Sequence, residues 1–152
     1  LIYQYSGPGR QEVQNAFEPR RYYWYQLLVQ NGYLVAYIDP RGTEGRGSAF
    51  KKAVYGQLGK YETQDLIEGA KYMGSLPYID SKRIGIWGWS YGGYTTTLCM
   101  MLGSDVFKAG ISVAPVTSWR FYDTIYSERY LKRPQDNPSG YDDYSPTTHA
   151  TG

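Results

Sequence analysis

The sequence is sparing with the residues that most often mark a chemical site: it holds one cysteine and one histidine among 152 residues. A single cysteine, Cys99, excludes any disulfide within the chain. It falls in an apolar stretch, where a small core thiol is its natural role. No apolar run approaches the roughly 18 residues that a membrane span needs. The opening Leu1 to Gly9 lacks the basic head and long apolar body of a signal peptide and reads as mid-protein. Charge of one sign is missing too: 16 basic and 14 acidic residues leave +2, and the basic ones are scattered. That is a solvated surface and excludes a nucleic-acid footprint. No G-x-G-x-x-G opens a helix after the first strand, which excludes a dinucleotide-binding domain.

Tyrosine is what the chain has in quantity, 18 residues within an aromatic share of 17%. So many amphipathic rings point to wet, aromatic-lined surfaces such as a pocket or a domain interface. At this length one domain is expected, burying roughly 70% of its unfolded surface if it closes properly.

The most informative stretch is Arg83 to Tyr94, RIGIWGWSYGGY, which sets Ser90 between Gly88 and Gly92 in a G-x-S-x-G pattern. A serine there acts as a nucleophile when it sits on a strained turn between a buried strand and a helix, which lifts its hydroxyl clear of the sheet. The glycines leave room where side chains would collide. The next residue, Tyr91, can then aim its backbone N–H at a developing oxyanion. The context is the required one, with Arg83 to Trp87 a short apolar run fit for a strand and Tyr91 to Leu102 a helix.

Along the chain, Leu1 to Tyr5, Tyr33 to Ile38, Arg83 to Trp87 and Lys108 to Ala114 read as strands, the last three nearly all apolar as if covered on both faces. Arg21 to Asn31, Thr63 to Ser75 and Tyr91 to Leu102 read as helices, and Trp119 to Tyr130 as a helix or helical loop. Glu62, Asp65 and Glu68 lie toward the amino end of the second helix, where they suit its dipole. Strands alternating with helices predict an α/β fold with a parallel sheet wrapped on both sides. The tail from Lys132 to Gly152 is polar.

Taken together, YSGPG at Tyr5 to Gly9, DPRGTEGRG at Asp39 to Gly47, GWSYGGY at Gly88 to Tyr94, VFKAGISVAPVTSW at Val106 to Trp119 and YDTIYSERY at Tyr122 to Tyr130 resemble the prolyl oligopeptidase clan of serine peptidases, within it the dipeptidyl peptidase IV branch. The resemblance implies an α/β-hydrolase fold fragment holding the third to sixth strands, with Ser90 after the fifth. On its residues alone Tyr5 is a half-buried tyrosine at a strand end; the resemblance makes its phenol a second oxyanion donor beside the Tyr91 N–H. Trp119, Tyr122 and Tyr126 lie at i, i+3 and i+7, which by periodicity is one helix face. The resemblance makes them, with Val116, the walls of a proline pocket.

A serine hydrolase needs a general base and a carboxylate to orient it. His149 in SPTTHA comes before the place where the resemblance puts the acid and the histidine, so it is expected to be a surface or loop residue. Asp39 precedes the serine and is expected to be structural, pairing with the Arg41 loop. The reading that results is the central part, residues 1–152, of the catalytic domain of a dipeptidyl aminopeptidase. It would release N-terminal dipeptides with penultimate proline or alanine, without metal or cofactor. The alternatives are an acylaminoacyl or tripeptidyl peptidase of the same clan, or a catalytically dead binding relative. The preceding β-propeller and the following acid and histidine segment are expected to lie outside the chain, leaving this piece inactive alone and with exposed apolar sheet edges. The resemblance also implies a homodimeric parent that acts outside the cytoplasm.

Overall fold

The computed structural model describes residues 1–150. Four parallel strands form one sheet: β1 (Ile2–Tyr3), β2 (Ala36–Tyr37), β3 (Gly85–Trp89) and β4 (Ala109–Val113), in the spatial order β2-β1-β3-β4. The connections are helical. α1 (Pro19–Gln30) joins β1 to β2, α2 (Ser48–Lys52) and α3 (Lys60–Gly74) lead to β3, and α4 (Tyr91–Leu102) joins β3 to β4. A 3-10 turn at Trp119–Phe121 and the helices α5 (Thr124–Leu131), α6 (Pro138–Asp142) and α7 (Pro146–His149) follow. The last two each place a proline at the helix start, where its missing N–H costs nothing.

Strand alternation decides which helix covers which face. Ile2 and Ile86 point to one side, into a core shared with Leu66 and Ala70 of α3, Cys99 of α4, and Phe107. Tyr3, Tyr37 and Trp87 point to the other side, where Trp24 meets Trp87 edge-on at 5.1 Å and Tyr25 meets Tyr37 at 5.7 Å. The sheet is therefore wrapped on both faces, α1 on one and α3 with α4 on the other. A second cluster, built from Leu58, Tyr91, Tyr94, Leu98, Trp119 and Leu131 among others, fills the region beyond the sheet's carboxyl end.

Two expectations are corrected and a third is decided between its alternatives. Tyr33 to Ile38 contributes only Ala36–Tyr37 to the sheet, and Tyr33 is 55% exposed. The Tyr33 N–H is bonded to the Leu28 carbonyl at the end of α1, and contact with β1 begins only at Leu34, whose carbonyl accepts from the Leu1 amino group at 2.7 Å. β4 is exposed along its whole length instead of buried. Gly110 and Ser112 meet α4, while Ala109, Ile111 and Val113 face away from it, and Ile111 is 56% exposed. Trp119 to Tyr130 is the helical loop and not the single helix, because Tyr122 is extended and Asp123 caps α5 by accepting the Tyr126 N–H at 2.8 Å. The polar tail folds into α6 and α7 up to Ala150, and its last two residues lie outside those described.

Leu66, fully buried between the sheet and α4, tests this core. Leu66→Ala is expected to lower the unfolding free energy by about 3 kcal/mol, read from the urea midpoint at unchanged slope.

Candidate active site

Ser90 is the single residue between β3 and α4, with φ 58° and ψ −110°, a backbone conformation costly for any residue with a side chain. Its N–H is bonded to the Val113 carbonyl of β4 at 2.9 Å, and its carbonyl accepts the Tyr94 N–H at 2.9 Å. These bonds hold the turn in its strained form. The glycines around it are required by close approach: a Cβ on Gly88 would stand 2.6 Å from the Gly92 carbonyl oxygen, and one on Gly92 would stand 2.5 Å from the Gln4 carbonyl oxygen. Gly93, which the motif does not mark, is equally constrained, since its Cβ would come within 2.7 Å of the Val113 oxygen. Tyr91 opens α4, so its N–H has no acceptor within the helix and is free to serve a ligand.

Tyr5 reaches the same place from β1. The link is Gln4, whose fully buried amide donates to the Gly92 carbonyl at 2.7 Å and to Thr96 Oγ1 at 3.0 Å. Its oxygen accepts from Ser6 at 2.6 Å and Thr95 at 2.7 Å. Nothing in the sequence pattern singles out Gln4, because a polar residue inside a strand signals only that it has found partners. The Tyr5 ring packs against the aromatic cluster beside Gly7, with the Arg10 guanidinium 5.0 Å from its centre.

The proposed pocket residues come together, in different roles. Trp119 is 2% exposed and stacks on Tyr126 with ring centres 5.6 Å apart. It also touches Tyr91, Tyr94 and Tyr122. It forms the base of the group. Tyr122, 43% exposed, and the partly buried Tyr126 and Val116 offer the accessible faces. Burial raises the Tyr126 phenol well above its usual range, so it remains a neutral surface. A slot of flat, uncharged rings suits a small rigid apolar group.

Of three further residues, Asp39 is placed differently from expectation, His149 lies at the surface as expected, and Glu62 keeps its place at the helix start but is buried there. Asp39 does not pair with the Arg41 loop: buried, it accepts the backbone N–H groups of Glu12 and Val13, the latter at 2.8 Å. Arg41 turns instead to Asp65 of α3. His149 lies in α7 with Nε2 2.8 Å from the Asp143 carbonyl oxygen, so its ring is held by backbone and not by a carboxylate. Glu62 is not a solvated helix-end charge. It is fully buried, accepting the Tyr91 hydroxyl at 2.6 Å and the Gly59 N–H at 3.0 Å. Glycine three residues before a glutamate at a helix start was a signal for the capping bond to Gly59, and not for the burial.

Desolvation pushes the Glu62 carboxyl up from 4.5 to about 7, against the opposing pull of the Tyr91 and Gly59 hydrogen bonds. The folded protein holds this proton to higher pH than the unfolded chain. The associated stability is therefore complete below the unfolded value of 4.5 and lost as pH rises through about 7. The loss expected across that window is on the order of 3 kcal/mol. Unfolding measured from pH 5 to pH 8 is expected to show this decline, and Glu62→Gln is expected to flatten it.

The profile of the prolyl oligopeptidase family matches residues 20–152. The chain is 47% identical over 148 residues to the "probable dipeptidyl-aminopeptidase B" of Phaeosphaeria nodorum, covering 97% of this chain and 16% of that protein. It is 50% identical over 145 residues to the protein of that name in Metarhizium robertsii, covering 93% of this chain and 15% of the relative. Among solved structures, Porphyromonas gingivalis dipeptidyl peptidase 4 superposes with a TM-score of 0.91 at 48% identity, over 98% of this chain and 21% of its own. The sheet and its flanking helices are thus those of an α/β-hydrolase fold, and the chain spans about a sixth of the curated relatives it matches. By profile, sequence and fold together, this chain belongs to the prolyl oligopeptidase family.

Proposed function

We propose that the chain is the central part of the catalytic domain of a serine-type dipeptidyl aminopeptidase, which releases N-terminal dipeptides whose second residue is proline or alanine. The observation that carries this reading is the strained Ser90 turn, with the Gln4–Tyr5 end of β1 packed against the first turn of α4 and an aromatic cluster beyond it. The names of the relatives support the dipeptidyl assignment.

In this reaction Ser90 Oγ attacks the carbonyl carbon of the penultimate residue, while its proton passes to a general base. The proline ring lies on the accessible faces of Tyr122, Tyr126 and Val116, above Trp119. That placement orients the scissile bond at little entropic cost, because the ring is already rigid. The carbonyl oxygen becomes an oxyanion stabilised by the Tyr91 N–H and the Tyr5 hydroxyl. Collapse of the tetrahedral intermediate breaks the C–N bond, and the base returns its proton to the leaving amine. Water, deprotonated by the same base, then frees the dipeptide and restores Ser90. The resemblance assigns the base and its orienting carboxylate to residues outside this chain; the Nε2 of His149 lying 2.8 Å from the Asp143 carbonyl oxygen is consistent with that reading. The homodimeric parent and the extracytoplasmic location rest on the resemblance alone.

The experiment compares full-length protein with Ser90→Ala and Tyr5→Phe variants on Gly-Pro-p-nitroanilide. Ser90→Ala is expected to abolish turnover, and Tyr5→Phe to lower kcat by about a hundredfold with KM little changed, since the lost donor acts on the transition state. The 152-residue piece alone is expected to turn over nothing measurable. Ser90 labelled by a fluorophosphonate in a protein that leaves the substrate intact would refute the dipeptidyl assignment, in favour of an acylaminoacyl or tripeptidyl peptidase.

A further inference from the structure

Glu62 takes no part in the chemistry above, yet it is the most expensively placed ionisable group near it. Both of its carboxyl oxygens are engaged: Oε2 accepts the Gly59 N–H at 3.0 Å, and Oε1 accepts the Tyr91 hydroxyl at 2.6 Å. The first bond is local and caps the start of α3. A glutamate can cap a helix start from the surface, so capping does not account for complete burial. The second bond does. It crosses to α4, 29 residues onward, and ends on the tyrosine that follows Ser90.

Tyr91 enters the proposed site twice. Its N–H faces the oxyanion, and its ring stands 5.4 Å from Trp119 and 5.3 Å from Tyr94, with Cγ against Gly7. A ring buried among other rings has few polar points by which it can be held, and here the hydroxyl is that point. Tyr94 is held in the same manner, its hydroxyl bonded to the Leu58 carbonyl at 3.0 Å and to the Tyr144 carbonyl at 2.8 Å. The segment from Leu58 to Glu62 thus holds both tyrosines of the first α4 turn by their far ends.

We propose that Glu62 is a positioning residue of the peptidase site: through the Tyr91 hydroxyl it sets the depth of the aromatic pocket and the aim of the Tyr91 N–H. This rests on the functional reading given above. The titratable and charged groups around the carboxyl are Tyr91 and Tyr94 of α4, Tyr126 of α5, Asp65 of α3 and Arg41 of the preceding loop. Both groups bonded to it are neutral donors, so the tie works as a hydrogen bond, and an amide can replace the acid.

Two readouts on the full-length protein test it. The rate at which a fluorophosphonate labels Ser90 reports the nucleophile and its oxyanion donors without asking for dipeptide recognition. The ratio of kcat/KM on Gly-Pro-p-nitroanilide to that on Gly-Ala-p-nitroanilide reports the pocket. Glu62→Leu and Tyr91→Phe each remove the tie and are expected to slow labelling by about tenfold, the scale of one lost hydrogen bond, and to lower the ratio. Their combination is expected to be no slower than either alone, because both remove the same bond. Glu62→Gln keeps an acceptor for Gly59 and a donor for the Tyr91 oxygen, and is expected to restore labelling to within about twofold of wild type. Wild-type labelling in Tyr91→Phe, or slowdowns that multiply in the double variant, would overturn the proposal. If Glu62→Leu does not fold, Tyr91→Phe with and without Glu62→Gln decides the question: with the tie gone, the second change must have no further effect. If the wild type is labelled but cleaves neither anilide, the dipeptidyl reading falls, and the labelling rates still decide for or against Glu62.

Discussion

The close approach of β1 to the first turn of α4 is the constraint on which the site depends. The Gln4 carbonyl lies against Gly88 and Gly92 so tightly that neither position has room for a methyl group. The Gln4 side chain then bonds across the contact to the Gly92 carbonyl, Thr95 and Thr96. A buried amide is costly unless both ends are satisfied, and here both are, which makes the contact rigid as well as close. Tyr5 follows Gln4 directly and Ser90 precedes the same turn. Two groups 85 residues apart in sequence thereby share one frame.

The strain at Ser90 is affordable for the same reason. A non-glycine residue at positive φ persists only where its surroundings over-determine it. Around Ser90 they do, through the bond from its N–H to Val113 on one side and the Gln4 contact on the other. The sheet order places β3 between β1 and β4, so the turn after β3 is braced by the ends of both neighbours. That position at the carboxyl edge of a parallel sheet is where open α/β folds place their chemistry.

Beyond the sheet, the aromatic cluster forms a second layer with its own polar supports. Trp119 is the centre, touching Tyr91, Tyr94, Tyr122 and Tyr126. Tilted and edge-on contacts dominate, the geometry that ring quadrupoles favour. The phenols at its inner rim end on Glu62 and on the Leu58 and Tyr144 carbonyls. Tyr91, Tyr94 and Tyr141 show why tyrosine suits this layer: each ring supplies apolar surface to the cluster and a hydroxyl that anchors it.

The elements that the sequence by itself determined are those set by local pattern. The helix Tyr91 to Leu102 and the turn at Ser90 lie where the glycine frame and the apolar run put them, because steric exclusion and helix periodicity act over a few residues. The four parallel strands were also legible, from short apolar runs between helical segments. Only the tertiary structure decided which runs would be covered. β4 is apolar yet exposed, and Tyr33 lies outside the sheet, bonded to the end of α1. The even spacing of Trp119, Tyr122 and Tyr126 suggested one helix face, and a capping bond at Asp123 broke it into two pieces that converge in space. Gln4 and Glu62 were illegible for a related reason. A polar side chain is buried only when partners distant in the chain satisfy it, and that cannot be read from the residues beside it.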